Sequence, residues 1–139
     1  MRYTKMLIEF SNELLTEVEE MDNQHEKLVE MLNHVYLLLK EGKKLEAEEF
    51  FYNEIVSYVE THLKDEENFM EEIGYPDLEN HKKVHEIFRE EIYKLAPYIK
   101  SGDDKAFKSA VALSWGWLYN HILKTDKKYA LYAKEKGCI

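Results

Sequence analysis

Residues 51–73 read FYNEIVSYVETHLKDEENFMEEI, and within them Phe51, Ile55, Tyr58, His62, Glu66, Phe69 and Ile73 recur in steps of three and four. That spacing keeps side chains on one face of an α-helix, a turn apart, and marks the stripe that a helix turns toward a core. Two members of the stripe are out of character: His62 and Glu66 stand where apolar residues belong. An unpaired carboxylate buried there costs several kcal/mol or stays protonated, whereas a cation offsets the cost. The bland alternative is that the helix ends nearby and Glu66 is wet. Phe69 and Ile73 oppose it, because they carry the stripe onward.

Three other segments repeat the pattern. Leu28, Leu32, Val35 and Leu39 form a stripe that His25 continues backward; Leu78, His81, His85, Phe88, Ile92, Leu95 and Ile99 form another; Phe107, Val111, Ser114, Leu118 and His121 form the last. His34 is a useful contrast, since nine residues after His25 it lies about 180° around the helix and reads as a surface residue. Short turn-rich breaks at Glu41-Gly42-Lys43, Gly74-Tyr75-Pro76-Asp77 and Ser101-Gly102-Asp103-Asp104 separate the segments. Connections this short make sequential helices antiparallel neighbours, so the expected fold is all-α, an up-down-up-down four-helix bundle. The first helix is expected from near Thr16, with Glu19 completing a capping box, to about Lys40, behind an N-terminal arm over residues 1–15. Pro97 should bend the third helix or end its regular part early. The acidic runs Glu46 to Glu49 and Glu71-Glu72 read as solvated faces, Glu67 points off its stripe, and the tyrosines read as packing residues.

Composition agrees with this picture. The 139 residues hold only 5 glycines and 2 prolines, with 45% hydrophobic and 34% charged residues, a balance that suits helices in one domain spanning 1–139. A formal charge of −9 disfavours nucleic acid and anionic membrane as partners. No stretch approaches the length of a membrane span, the N-terminus lacks a signal-like apolar run, and the single cysteine, Cys138, permits no intrachain disulfide; a cytoplasmic protein, monomeric or weakly oligomeric, is the expectation.

The chemistry lies in the stripes. His25, His62-x-x-x-Glu66, His81-x-x-x-His85 and His121-x-x-x-x-Asp126 supply five imidazoles and two carboxylates facing one core, which reads as a site for two metals. The last pair is spaced by five, leaving its members about 140° apart on an ideal helix. They reach one site either from two sides or through a π-type turn. Two six-coordinate metals offer about twelve positions, of which five imidazoles, two bridging carboxylates and one shared oxygen fill all but about one. A vacancy of that size takes one small ligand such as dioxygen. The histidine-rich shell suits iron, and the Glu-x-x-His motif of carboxylate-rich oxidases does not occur in the chain, which favours reversible binding over oxygen activation.

At this point the motifs resemble the hemerythrin family, in particular its single-domain bacterial type. The resemblance runs through Met21-Asp22-Asn23-Gln24-His25, His62-Leu63-Lys64-Asp65-Glu66-Glu67-Asn68-Phe69-Met70, Gly74-Tyr75-Pro76-Asp77 leading to His81-Lys82-Lys83-Val84-His85, and Trp117-Leu118-Tyr119-Asn120-His121-Ile122 ending at Asp126. It implies two iron ions bridged by an oxo or hydroxo group, Glu66 and Asp126. His81, His85 and His121 would hold one iron, and His25 and His62 the other, where dioxygen would bind end-on. It also implies an apolar oxygen pocket at Leu28, Leu63, Trp117, Leu118 and Ile122, and reversible oxygen binding for carriage, storage or delivery to a protein acceptor, without enzymatic turnover. Two positions depart from the family's pattern: Leu63 stands where phenylalanine is usual and Phe10 where tryptophan is common. The competing readings are an oxygen or redox sensor module and a di-iron enzyme acting on peroxide or nitric oxide.

Overall fold

A computed structural model describes residues 10–139; the expectations for the first nine residues lie outside that range. The helices are α1 (Glu19–Lys40), α2 (Lys44–Phe50), α3 (Val56–Glu72), α4 (Leu78–Lys100), α5 (Asp104–His121) and α6 (Lys127–Glu135), with a 3-10 turn at Asn12–Leu14 ahead of them. Two π-helical turns, Phe51–Ile55 and Ile122–Asp126, join α2 to α3 and α5 to α6 without a break. The six spans therefore make the four rods of a four-helix bundle, and there is no strand among the described residues.

The stripes decide the packing. Leu28, Leu32 and Val35 of α1, Phe51, Ile55 and Leu63 of the second rod, Phe88, Ile92 and Ile99 of α4, and Phe107, Ala110 and Leu118 of α5 form the main apolar core, each large side chain contributing about 1.5–3 kcal/mol by leaving water. A smaller cluster of Val18, Met21, Met70, Tyr129 and Ala130 lies at the other end. His25 falls between Met21 and Leu28, Glu66 between Leu63 and Met70, and Asp126 between Ile122 and Tyr129. The polar residues are thus sandwiched between two apolar plugs, which leaves them dry.

Several local expectations need correction. Thr16 makes no capping box: α1 begins at Glu19 with Val18 at its N-cap and no side-chain cap. The chain turns at Glu17 with φ +72°, and buried Asp22 reaches back instead, accepting from the Thr16 amide and hydroxyl, both at 2.8 Å, and from the Glu17 amide at 3.0 Å. Leu38 is buried and Leu39 only packs against the core from a half-buried position. Pro97 does not end its helix early, since α4 runs on to Lys100. It stands in the last turn, where little helix remains to lose a bond, and its own carbonyl still accepts from Ser101. Glu48 is not on a solvated face: it is buried beside Lys44, 3.6 Å away. His34 is exposed, as its position half a turn from His25 requires.

Candidate metal centre

The five histidines and two carboxylates lie on four rods, and all are buried: His25, Glu66, His85 and Asp126 expose nothing, while His62, His81 and His121 expose 4% or less. They form two overlapping groups. Glu66, His81, His85, His121 and Asp126 bring one ligand atom each within 4.8 Å of one another, and His25, His62 and Glu66 do the same. The five-residue spacing of His121 and Asp126 is accommodated by the π turn at Ile122–Asp126. Its wider coil brings residue i+5 back over residue i, where an α-helix would turn it away.

Each carboxylate divides its oxygens between the two groups. Oε1 of Glu66 is 2.9 Å from Nε2 of His85 and 3.3 Å from Nε2 of His81, whereas Oε2 faces His25 at 3.4 Å and His62 at 3.6 Å. Asp126 repeats the arrangement, with Oδ1 at 2.8 Å from His121 and 3.1 Å from His81, and Oδ2 at 3.2 Å from His25.

Outer partners fix which ring nitrogen faces inward. The amide nitrogen of Gln24 donates to Asp65 at 3.0 Å, which turns its oxygen to Nδ1 of His62 at 2.6 Å. That nitrogen therefore carries the proton, and the lone pair of His62 lies on Nε2. Glu67 does the same for His85, accepting from Nδ1 at 2.8 Å. Nε2 of His85 then presents a lone pair 2.9 Å from a Glu66 oxygen and 3.1 Å from Nε2 of His121, acceptor facing acceptor. Nε2 of His81 also lies 3.1 Å from Nε2 of His121. Imidazoles bind a first-row metal at about 2.0–2.1 Å, so two of them 90° apart lie about 3 Å from each other. Buried atoms without a hydrogen-bond partner cluster here too: both nitrogens of His25, Nδ1 of His121 and both oxygens of Asp126. A cation resolves the clash of lone pairs and satisfies the inward-facing atoms, and the residues fit one.

Without such a cation, protons must do its work. Burial opposes charge on His25, yet the carboxylates of Asp126 and Glu66 beside its Nε2 outweigh it and raise its pKa to about 9. His121 is likewise resisted by burial and raised to about 9 by the carboxylates of Asp126 and Glu66 beside its Nε2. His62 goes the other way, because burial dominates and pulls it down to about 4. Burial disfavours ionised Glu66 and Asp126, but the surrounding imidazoles hold both below the ordinary carboxylate range.

Trp117 stacks flat between Phe88 (4.1 Å, 15°) and His121 (4.2 Å, 12°), walling the centre on that side. Four of the expected pocket residues, Leu28, Leu63, Trp117 and Leu118, line one apolar cavity with Leu32, Ile55, Val59, Phe88, Ser114 and His62. Ile122 does not line it; it is fully buried in the main core at the start of the π turn. The cavity holds about 10 Å³, room for one water-sized molecule. Three residues escaped the sequence reading. Glu67 is half-buried on His85, Gln24 holds His62, and Tyr129, fully buried, donates to Oε2 of Glu66 at 2.9 Å. Burial pushes the Tyr129 phenol well above its ordinary range, so it stays a donor. The one available signal was position: Glu67 and Gln24 each adjoin a stripe member, and Tyr129 lies eight residues, about two turns, after His121.

The family model of the hemerythrin HHE cation binding domain matches residues 16–133. Among curated proteins, the bacteriohemerythrin of Stenotrophomonas maltophilia is 33% identical over 124 residues, covering 89% of this chain and 80% of that protein. The bacteriohemerythrin of Pseudomonas aeruginosa is 34% identical over 120 residues, 86% of this chain and 77% of the relative. That of Clostridium acetobutylicum is 30% identical over 116 residues, 81% and 90% of the two chains. No helix among the described residues is long and apolar enough to cross a membrane.

Proposed function

The chain belongs to the hemerythrin family, and on that footing we propose that it binds dioxygen reversibly at two iron ions, as a carrier, store or delivery protein and not as an enzyme. His81, His85 and His121 would hold one metal and His25 and His62 the other, with Glu66 and Asp126 each offering one oxygen to either side. Two ferrous ions, when bound, supply the two electrons that dioxygen takes up reversibly. Everything else is the work of side chains. Glu67 and Gln24 keep the Nδ1 protons of His85 and His62 in place and so present Nε2 to the metal. Tyr129 donates to Glu66 and steadies one arm of its bridge.

The observation that carries this reading is the small apolar cavity, which reaches His62 and none of His81, His85 or His121. A ligand space on the side with fewer histidines is what an open coordination position there requires. The hydroxyl in its wall, on Ser114, already donates to the Ala110 carbonyl at 2.9 Å. Leu28, Leu63, Trp117 and Leu118 keep water away, and excluding water and protons favours release of the ligand unchanged.

Iron per chain and the visible spectrum, recorded after anaerobic reduction and again in air, test the proposal. Two irons with a charge-transfer band that appears in air and vanishes when oxygen is removed are expected. Irreversible oxidation on the first exposure would instead favour an enzyme or a redox sensor.

A further inference from the structure

A second apolar cavity lies outside the first. It is bounded by Phe51, Ile55, Val56, Val59, Phe88, Ile92 and Ser114, and its outer rim is Glu60, Arg89 and Tyr93. Ile55, Val59, Phe88 and Ser114 line both cavities, so they meet through a common wall. Phe51 and Ile55 are the first and last residues of the π turn Phe51–Ile55. A π turn widens the helix locally and loosens its packing on a neighbour, which accounts for a gap in an otherwise close-packed core. On the inner side of the shared wall, the first cavity reaches His62, Leu63 and Trp117.

The rim is polar and clamped. Nε of Arg89 donates to Glu60 at 3.0 and 3.2 Å, and the Tyr93 hydroxyl donates to the same carboxylate at 3.1 Å. Arg89 is 14% exposed, while Glu60 stands 42% in solvent. The other arm of the guanidinium reaches inward, with Nη1 3.2 Å from the Glu67 oxygen that accepts from His85. Arg89 therefore ties the rim of the gap to Glu67, the carboxylate that orients a candidate metal ligand.

We propose that the joined cavities are the access passage for a small apolar gas, and that the Glu60–Arg89–Tyr93 clamp is its outer gate, tied through Glu67 to His85. The gas is dioxygen if the function proposed above holds, and the assignment of the gas rests on that reading. Opening needs only that Glu60 and Tyr93 swing outward. Arg89 keeps its hold on Glu67 meanwhile, so the centre need not be disturbed each time a molecule passes.

A gate changes how fast a ligand enters and leaves but not its affinity, which depends only on the end states. Glu60→Gln, at the exposed end of the clamp, should raise the oxygen association and dissociation rates of the di-iron protein together, by about threefold. Ile92→Phe fills the outer cavity without touching the inner one and should lower both by a similar factor. Stopped-flow mixing and oxygen displacement read the two rates, and their ratio should hold in both variants. Unchanged rates in both variants, or a change confined to dissociation, would overturn the passage. Xenon-pressurised crystals of the zinc-loaded full chain separate this from the function itself. Xenon in both cavities, with the outer site lost in Ile92→Phe, supports the passage even if iron fails to bind oxygen reversibly. Xenon absent from both overturns it.

Discussion

The two ends of the candidate centre are built differently. One gathers three imidazoles, from His81, His85 and His121, wedged behind the Phe88–Trp117 stack. The other has two, His25 and His62, and opens on an apolar cavity. At the first, Glu67 holds a histidine and is itself held by Arg89; at the second the holder is Gln24, a neutral amide anchored on Asp65. The contrast teaches that crowding and buried space are divided: the imidazoles of one end press on one another and are braced, and the other end adjoins an apolar cavity with room for a small ligand.

The harshest way to break this division is to remove what both ends share. Glu66→Ala deletes a carboxylate that faces both groups, and iron per chain should fall from two to about zero, read by metal analysis of the purified protein. Retention of one iron would mean that the three-histidine end stands without the shared carboxylate.

Next in size is removal of the holders one at a time. Loss of such a partner weakens metal affinity by about 10–100-fold, so Glu67→Ala should weaken the three-histidine end and Gln24→Ala the two-histidine end. Competition with a chelator, followed by spectroscopy that distinguishes the two irons, reads each in turn. Identical losses from both variants would show that the ends do not bind independently.

pH sharpens the contrast further. In metal-stripped protein, His25 and His121, raised from 6.5 to about 9, stabilise the fold fully below pH 6.5, and that contribution is lost as pH rises through 9. His62, lowered to about 4, contributes above 6.5 and loses its contribution as pH falls toward 4. The iron-loaded protein needs neutral imidazoles, so its stability should hold or rise over the interval in which the stripped protein weakens. Thermal melts of both forms at pH 6.5 and 9 decide the matter, and parallel declines would sink the account.

The smallest effect is expected at the pocket wall. Leu63 is fully buried beside His62 and lines the cavity. A phenylalanine there fills more of the space, so Leu63→Phe should slow autoxidation of the oxygenated protein by a few-fold, followed as decay of its visible band. Equal decay rates would count against a role for pocket volume.

The bundle was legible in the sequence because burial imposes a period, and a polar residue at an apolar beat stands out. Glu66 did so between Tyr58 and Phe69. The partners of the second ring nitrogen were not legible, for a geometric reason. An imidazole that points one nitrogen at the core points the other away, so its partner lies off the stripe, where Glu67 and Gln24 look like surface residues. The π turn at Ile122–Asp126 was visible as an odd spacing between two residues with the same task. That at Phe51–Ile55 carries only apolar and neutral residues besides Glu54 and left no such mark. Glu48 and Asp22 were hidden because a charge run looks alike whether or not one member folds inward.

The π turn before α6 also fixes the phase of everything after it. One surplus residue in a helix rotates the following segment by about 100° relative to the preceding one. Asp126 and, three residues later, Tyr129 both owe their inward aim to that rotation. A single-codon deletion within 122–126 would leave a helix of better regularity that turns its carboxylate and its phenol away from Glu66 together. At this place, natural variation in length is more dangerous than natural variation in residue type.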